Sequence, residues 1–440
     1  MKLQVKFNSI NKILTNNIKV IMIPMENTDI VSLGIFNKVG SRYENKKTSG
    51  IAHFLEHMIF KGTKNMSSKI VAEKLDEVGA KYNAETSYET THYYVSGHKN
   101  SINLFIDILS DIYINPAFKE EDIITERGVI MEEFNMVKDE PSEIIQNLLH
   151  KIIFDDSSLK YPIIGTKENI LSFTRKDFIN FRKQFYVPNR TVIVIAGNFD
   201  NKKIFNKIKN KFQVKKYNNN SDIKLLIEKK ENKICPNLIF KEKNTVSQTH
   251  VILSFNSESI FSEIYESYDL LSDILTSGSS SRLFDLLRNQ LGVAYSVSAV
   301  NLSYTHEGAF IIHMGVDNNR VEESIKAVLS ELINIKKNGI SEKELQKAKQ
   351  IRTTSMMLSL DSPSSVMNYY GINEIYFNIA TDKHKDYTVE TLIEKYNKIK
   401  LKSLNNLIND LFKKEKLNII VYGKKKTFSI NSFDKELDKL

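Results

Sequence analysis

Gly50-Ile51-Ala52-His53-Phe54-Leu55-Glu56-His57-Met58-Ile59-Phe60-Lys61-Gly62-Thr63 is the stretch from which the rest of the chain can be read. Its apolar residues recur at helical spacing, and Gly62 stands where a helix would stop. A helix over Thr48–Lys61 is predicted. His53 and His57 are four apart and so share one helical face. Two imidazoles on one face can hold one metal ion. Glu56 precedes the second histidine and can reach a water bound to that ion. Zinc lowers the pKa of such a water towards ~7, which leaves Glu56 to take its proton as general base.

A catalytic zinc needs a third protein ligand and an open position. The segment Glu126-Arg-Gly-Val-Ile-Met-Glu132-Glu133 offers candidates inside a predicted helix, Lys119–Val137. Glu126 and Glu133 are seven apart, two helical turns, and face the same way. Glu133 is the first candidate for the ligand. Glu132 competes with it, because spacing alone does not separate them. Glu126 is placed to orient a histidine from behind.

Around these motifs the chain alternates strands and helices. Ile18–Ile23 and Ile30–Asn37 read as strands by their β-branched content. Lys81–Ala84 and Tyr88–Val95 read as strands too, and Thr191–Ala196 as a buried one. Residues 216–245 are rich in asparagine and lysine and read as a linker with a strand inside. The second half repeats the pattern: strand His250–Phe255, helices Glu263–Thr276 and Ser280–Gln290, and strands Ala294–Ser303 and Phe310–Val316. Helices Arg320–Lys337 and Ser341–Ser359 and strand Leu417–Tyr422 complete it. The expected fold class is α+β. Two similar sandwich halves, each an antiparallel-rich sheet with helices packed on it, are joined by the linker like a clamshell. The expected domains are 1–215, with the metal motif, and 246–440, without it, on either side of the linker 216–245.

Composition narrows the function classes. At 440 residues, 41% hydrophobic and 26% charged, the chain has the make-up of a soluble globular protein. Its single cysteine, Cys235, cannot form an intramolecular disulfide. No apolar run approaches the ~20 residues of a membrane span, so none is expected. The formal net charge is +9, from 62 basic and 53 acidic residues. The densest basic runs, Lys207–Lys216, Lys224–Lys233 and Lys413–Lys426, lie in or beside candidate loops and termini. They read as solvated surface, and no nucleic-acid partner is expected. Residues 1–12 hold three lysines and no arginine, unlike a mitochondrial presequence. That favours the cytoplasm, with a mitochondrial location left open. His92 and His98 read as packing or surface histidines, and Arg42 as structural.

Four segments resemble the pitrilysin/insulinase family of zinc peptidases, the inverzincins, which carry H-x-x-E-H. They are Gly40-Ser-Arg-Tyr-Glu44 with the stretch Gly50–Thr63; Gly79-Ala-Lys-Tyr-Asn83-Ala84-Glu-Thr86-Ser87-Tyr-Glu89-Thr90; Glu126–Glu133; and Ser280-Ser-Arg282-Leu-Phe-Asp-Leu-Leu-Arg288-Asn-Gln-Leu-Gly292-Val-Ala-Tyr295-Ser296. The resemblance runs from about residue 10 to 425 and fits the short, two-domain members, which include the catalytic subunits of mitochondrial and bacterial processing peptidases. In that family the third ligand follows the second histidine by 76 positions, and 57 plus 76 is 133. The resemblance therefore implies one Zn2+ per chain on His53, His57 and Glu133, with Glu126 as the supporting glutamate.

It also implies roles elsewhere. Family members bind an extended peptide between two similar halves. An arginine and a tyrosine seven apart approach it from the half without metal, and Arg288 and Tyr295 match that pair. Both can donate to a carbonyl oxygen as charge develops. Asn83 and Ala84 match the edge strand that binds the substrate backbone by strand addition. The implied function is a zinc-dependent endopeptidase acting on extended peptides or processing segments. The alternative is a catalytically silent or partner-dependent subunit of a processing-peptidase-like complex. Short members commonly work as homodimers or heterodimers with a similar chain. The glycine-rich loop of the noncatalytic processing subunit is absent, since Thr276-Ser-Gly278-Ser-Ser stands in its place. Basic presequences sit awkwardly with a +9 chain unless local acids such as Glu85, Glu89, Asp139 and Glu140 dominate.

Overall fold

Two sheets organise the chain, whose computed structural model describes residues 7–213, 236–379, 386–424 and 428–440. The first sheet holds β1 (Ile10–Ile13), β2 (Lys19–Pro24), β3 (Ile30–Asn37), β4 (Lys81–Thr86), β5 (Thr91–His98) and β6 (Thr191–Gly197). Their order is β1-β2-β6-β3-β5-β4, and β2–β6 is the parallel pair. The second holds β7 (Asn237–Glu242), β8 (Thr249–Ser257), β9 (Ala294–Ser303), β10 (Gly308–Val316) and β11 (Leu417–Gly423). Its order is β7-β11-β8-β10-β9, with β7–β11 parallel. Leaving β1 aside, the two orders coincide strand for strand. The fold is α+β with two similar halves.

Local sequence explains the positions. β6 reads TVIVIAG and β11 reads LNIIVYG, and every residue of both is buried. Continuous apolar runs of this kind suit strands covered on both faces. β4 reads KYNAET and alternates exposed with partly buried residues, as an end strand should.

The chain forms two compact units that interleave in sequence. The first combines residues 1–136, 155–228 and 357–387; the second combines 137–154, 229–356 and 388–440. Helix Pro363–Glu374, from late in the chain, lies across β3 and β6 in the first unit. Helix Pro141–Ile153, from early in the chain, lies across β8 and β11 in the second. These are equivalent strands. Each sheet thus has one face covered by a helix from the other half of the sequence. Both helices begin with proline, whose fixed φ and missing N–H suit a first turn. Gly371 permits the close approach in the first unit: a Cβ there would stand 2.4 Å from the Phe36 ring.

Several sequence expectations shift. The strand predicted to start at Tyr88 starts at Thr91, because Ser87–Thr90 makes a tight turn closed by Ser87 N–H to the Thr90 carbonyl at 2.8 Å. The helix predicted over Ser280–Gln290 is a short turn, Arg282–Phe284, followed by a π-helical turn, Asp285–Gln290. Within the expected linker, residues 237–242 form β7, while 216–235, with Cys235 and the run Lys224–Lys233, lie outside the described residues. In the other basic runs Lys207 and Lys211 pair with Asp107, Lys413 and Lys416 with Asp410, and Lys414 with Asp438. No helix among the described residues is long and apolar enough to cross a membrane.

Candidate metal centre

The helix Ile51–Ile59 starts at Gly50, whose φ of 98° is left-handed and packs against Gly165. Its first free N–H groups are capped from outside. Glu44 accepts from Gly50 N and Ala52 N, each at 2.8 Å. Burial pushes the Glu44 carboxyl well above its ordinary value, although the two backbone bonds oppose this.

One turn in, His53 and His57 stand side by side, with ring centroids 4.7 Å apart. Glu133 reaches both from the helix Glu120–Asp139. Its Oε1 is 3.5 Å from His53 Nε2, and its Oε2 is 3.6 Å from His57 Nε2. One donor atom from each of the three lies within 4.8 Å of the others. Ligands ~2.0–2.1 Å from a tetrahedral zinc stand about 3.4 Å from one another, so these residues fit the ion. Glu132 is exposed and outside the cluster.

Glu126 backs the site. Its Oε1 accepts from His57 Nδ1 at 2.8 Å, and its Oε2 pairs with Lys61 Nζ at 2.5 Å. A proton held on Nδ1 leaves the Nε2 lone pair facing Glu133, as ligation requires. Burial alone would raise the Glu126 carboxyl, but its bonds to His57 and Lys61 win and hold it below its ordinary value.

Glu56, between the histidines, accepts from Thr86 Oγ1 at 2.7 Å. Burial raises its carboxyl above the ordinary range despite the pull of His53, Thr86 and His57. A raised carboxyl beside a metal site suits a group that takes a proton and gives it back. Asn83 and Ala84 lie on β4, paired with Tyr94 and Tyr93 of β5. The other edge of β4 has no partner strand among the described residues. Thr86 meets Glu56 and the Tyr82 ring lies 6.0 Å from Phe60, so Tyr82, Ala84 and Thr86 share the helix side of the strand. Asn83 and Glu85 occupy the other face.

Arg288 and Tyr295 belong to the second unit. Arg288 sits in the π-helical turn, and its Nη1 donates to the Tyr295 carbonyl at 3.1 Å. Its guanidinium lies 5.1 Å from the centroids of both the Tyr295 and Phe284 rings. Tyr295 is 72% exposed, near the start of β9. Sequence reasoning gave no role to Thr86, Glu44 or Lys61. Thr86 alone carried a signal, because two residues beyond Ala84 is the same face of a strand.

The family model described as insulinase (peptidase family M16) matches residues 19–167, and that of the peptidase M16 inactive domain matches 172–352. An uncharacterized zinc protease of Bacillus subtilis, YmxG, is 32% identical over 90% of this chain and 94% of its own. One from Rickettsia bellii is 33% identical over 78% and 82%. The fold matches a protease from Helicobacter pylori with a TM-score of 0.86, at 23% identity over 95% of this chain and 99% of that one. A putative M16-like peptidase from Alicyclobacillus acidocaldarius matches with a TM-score of 0.85, at 20% identity over 97% and 100%.

Proposed function

For a chain that belongs to the insulinase family, peptidase family M16, we propose the activity of a zinc-dependent endopeptidase that hydrolyses extended peptides or processing segments. The observation that carries this reading is the convergence of His53, His57 and Glu133 within 4.8 Å, with Glu56 on the same helix. Zinc, when bound, supplies an acidified water and polarises the scissile carbonyl. Glu56 takes the proton of that water and delivers it to the leaving amine. Glu126 and Lys61 hold His57 in the ligating tautomer. The free edge of β4, at Asn83 and Ala84, pairs with the peptide backbone and aligns it whatever its side chains. Arg288 and Tyr295 are assigned to the peptide's carbonyl oxygens, and the active assembly to a dimer with a like or similar chain.

The test is cleavage of quenched peptides by the purified chain, with zinc content measured alongside. Cleavage abolished by a chelator and restored by Zn2+ is expected. A zinc-loaded chain that cleaves nothing across a mixed panel would overturn self-sufficient activity and favour a partner-dependent subunit.

A further inference from the structure

Thr86 is the last residue of β4, the strand whose free edge is assigned to the peptide. Its hydroxyl donates to Glu56 Oε2 at 2.7 Å, which ties that strand to the base. Both ends of this bond are braced by one short loop. Ser41 N and Arg42 N donate to the carbonyls of Ser87 and Tyr88 at 3.2 and 2.8 Å, in the turn just after Thr86. Arg42 Nε lies 3.4 Å from Glu89 Oε1, and both side chains are buried. Two residues later, Glu44 caps the helix that carries Glu56. The loop 40–44 therefore holds the end of the edge strand and the start of the base's helix in one frame. Thr86–Glu56 is the side-chain bond that crosses that frame at the site.

A glutamate has free torsions, and a carboxylate that swings off line loses the benefit of proximity. A hydroxyl on Oε2 leaves Oε1 for the water. We propose that Thr86 is a positioning residue: it fixes the Glu56 carboxylate, and a peptide pairing along β4 steadies the base through it. The proposal rests on the peptidase reading for its catalytic consequence, but not for the geometry it assigns to Glu56. Binding energy from peptide residues far from the scissile bond then appears in kcat, as it does when it is used to align reacting groups.

The experiment compares Thr86→Val, which keeps the shape and removes the donor, with Thr86→Ser, which keeps the donor. Short and long versions of one peptide are cleaved by each protein. In the unaltered enzyme the longer peptide should raise kcat. Thr86→Val should lower kcat roughly 10- to 100-fold, the loss of one hydrogen bond to a charged group, with KM within about twofold. Lengthening the peptide should then lower KM alone, and Thr86→Ser should restore kcat. An unchanged kcat in Thr86→Val, a change confined to KM, or a failure of serine to rescue would each overturn the proposal. Crystal structures of the zinc-free proteins give a readout apart from activity. Glu56 should leave its place in Thr86→Val and keep it in Thr86→Ser. If the unaltered chain cleaves nothing, self-sufficient activity fails by itself, and these structures still decide the role of Thr86. A Glu56 unmoved in Thr86→Val sinks it.

Discussion

The two halves answer one geometric problem in opposite ways. In the first, the helix Ile51–Ile59 comes after β3, lies against the edge strand β4 and offers His53 and His57 towards Glu133 on a long helix. In the second, the helix Tyr265–Thr276 comes after β8, lies against the equivalent edge strand β9 and carries Asp269 and Asp273, also four apart. The long helix there, Glu342–Ser359, supplies Arg352. Its Nε bonds Asp273 Oδ2 at 2.8 Å, and its Nη2 bonds the Asp269 carbonyl at 2.9 Å. Tyr396 donates to Asp269 Oδ2 at 2.6 Å. Helix and edge strand are bonded in both halves, by Thr86 to Glu56 in one and by Ala299 N to Thr276 Oγ1 at 2.9 Å in the other. The difference lies in the donors. The first half points electron pairs inward from every residue, which suits a cation from solution. The second brings its own cation as a guanidinium, so its cluster is closed.

The comparison can be broken most forcefully at Glu56. Glu56→Gln should lose on the order of 10²–10⁴ in kcat while keeping about one Zn2+ per chain, and His57→Ala should lose the metal itself. Metal analysis beside peptide turnover checks both, and a turnover-competent Glu56→Gln enzyme would remove the base assignment. In the second half, Arg352→Met should leave zinc content untouched. It should cost about 3–5 kcal/mol, because it takes away the cation paired with the buried Asp273 carboxyl. Urea unfolding measures this, and a cost below about 1 kcal/mol would mean that the cluster is not closed by Arg352.

Each half also carries a histidine within its sheet, the buried His92 on β5 and the half-buried His313 on β10. Burial holds both down to about 4. His92 is stacked on Phe36 at 4.9 Å. Its folded value lies below the ordinary 6.5, so the unfolded chain binds the extra proton between those limits. Stability is therefore intact above pH 6.5 and falls as the pH drops towards 4, by about 3 kcal/mol for this group. His92→Phe should flatten that part of the stability–pH curve, and an unchanged slope would show that the group is not held neutral. The smallest effect concerns the borrowed helices. Gly371 stands eight residues after the first proline of its helix and lies hard against the Phe36 ring. Gly371→Ala should cost about 1–3 kcal/mol by overpacking Phe36, read as a lower urea midpoint.

Much of this was legible in the sequence because it is local. Helical spacing puts His53 and His57 on one face without help from the rest of the chain. The alternating and continuous apolar runs give most strands. Helical spacing from Glu126 made Glu133 the first candidate, but choosing it over Glu132 needed the family resemblance, since its distance from His57 along the chain carries no physical signal. Thr86 lay just beyond the strand expected at Lys81–Ala84, and its partner, 30 residues earlier, carried no signal in the spacing. The helix Pro363–Glu374 escaped altogether. Val366, Met367, Tyr370 and Gly371 are buried in it, and a stripe containing glycine and tyrosine beside serine and asparagine has no clear hydrophobic period. With that helix unread, the interleaving of the two units could not be seen. The turn at Asp285–Gln290 escaped for a related reason: a π turn keeps helical composition while shifting the register of the residues beyond it.

The borrowed helix also sets a clock during synthesis. The last strand of the first sheet is complete at Gly197, but the helix that covers β3 and β6 begins at Pro363, which is 363 − 197 = 166 residues later. At roughly 5–20 residues per second, a ribosome needs about 8–33 s to cover that distance. Throughout that interval the nascent first sheet carries Phe36 and its neighbours with one side bare. The speed of translation between the two points then governs how long this surface is open to chaperones, or to other unfinished copies of the chain.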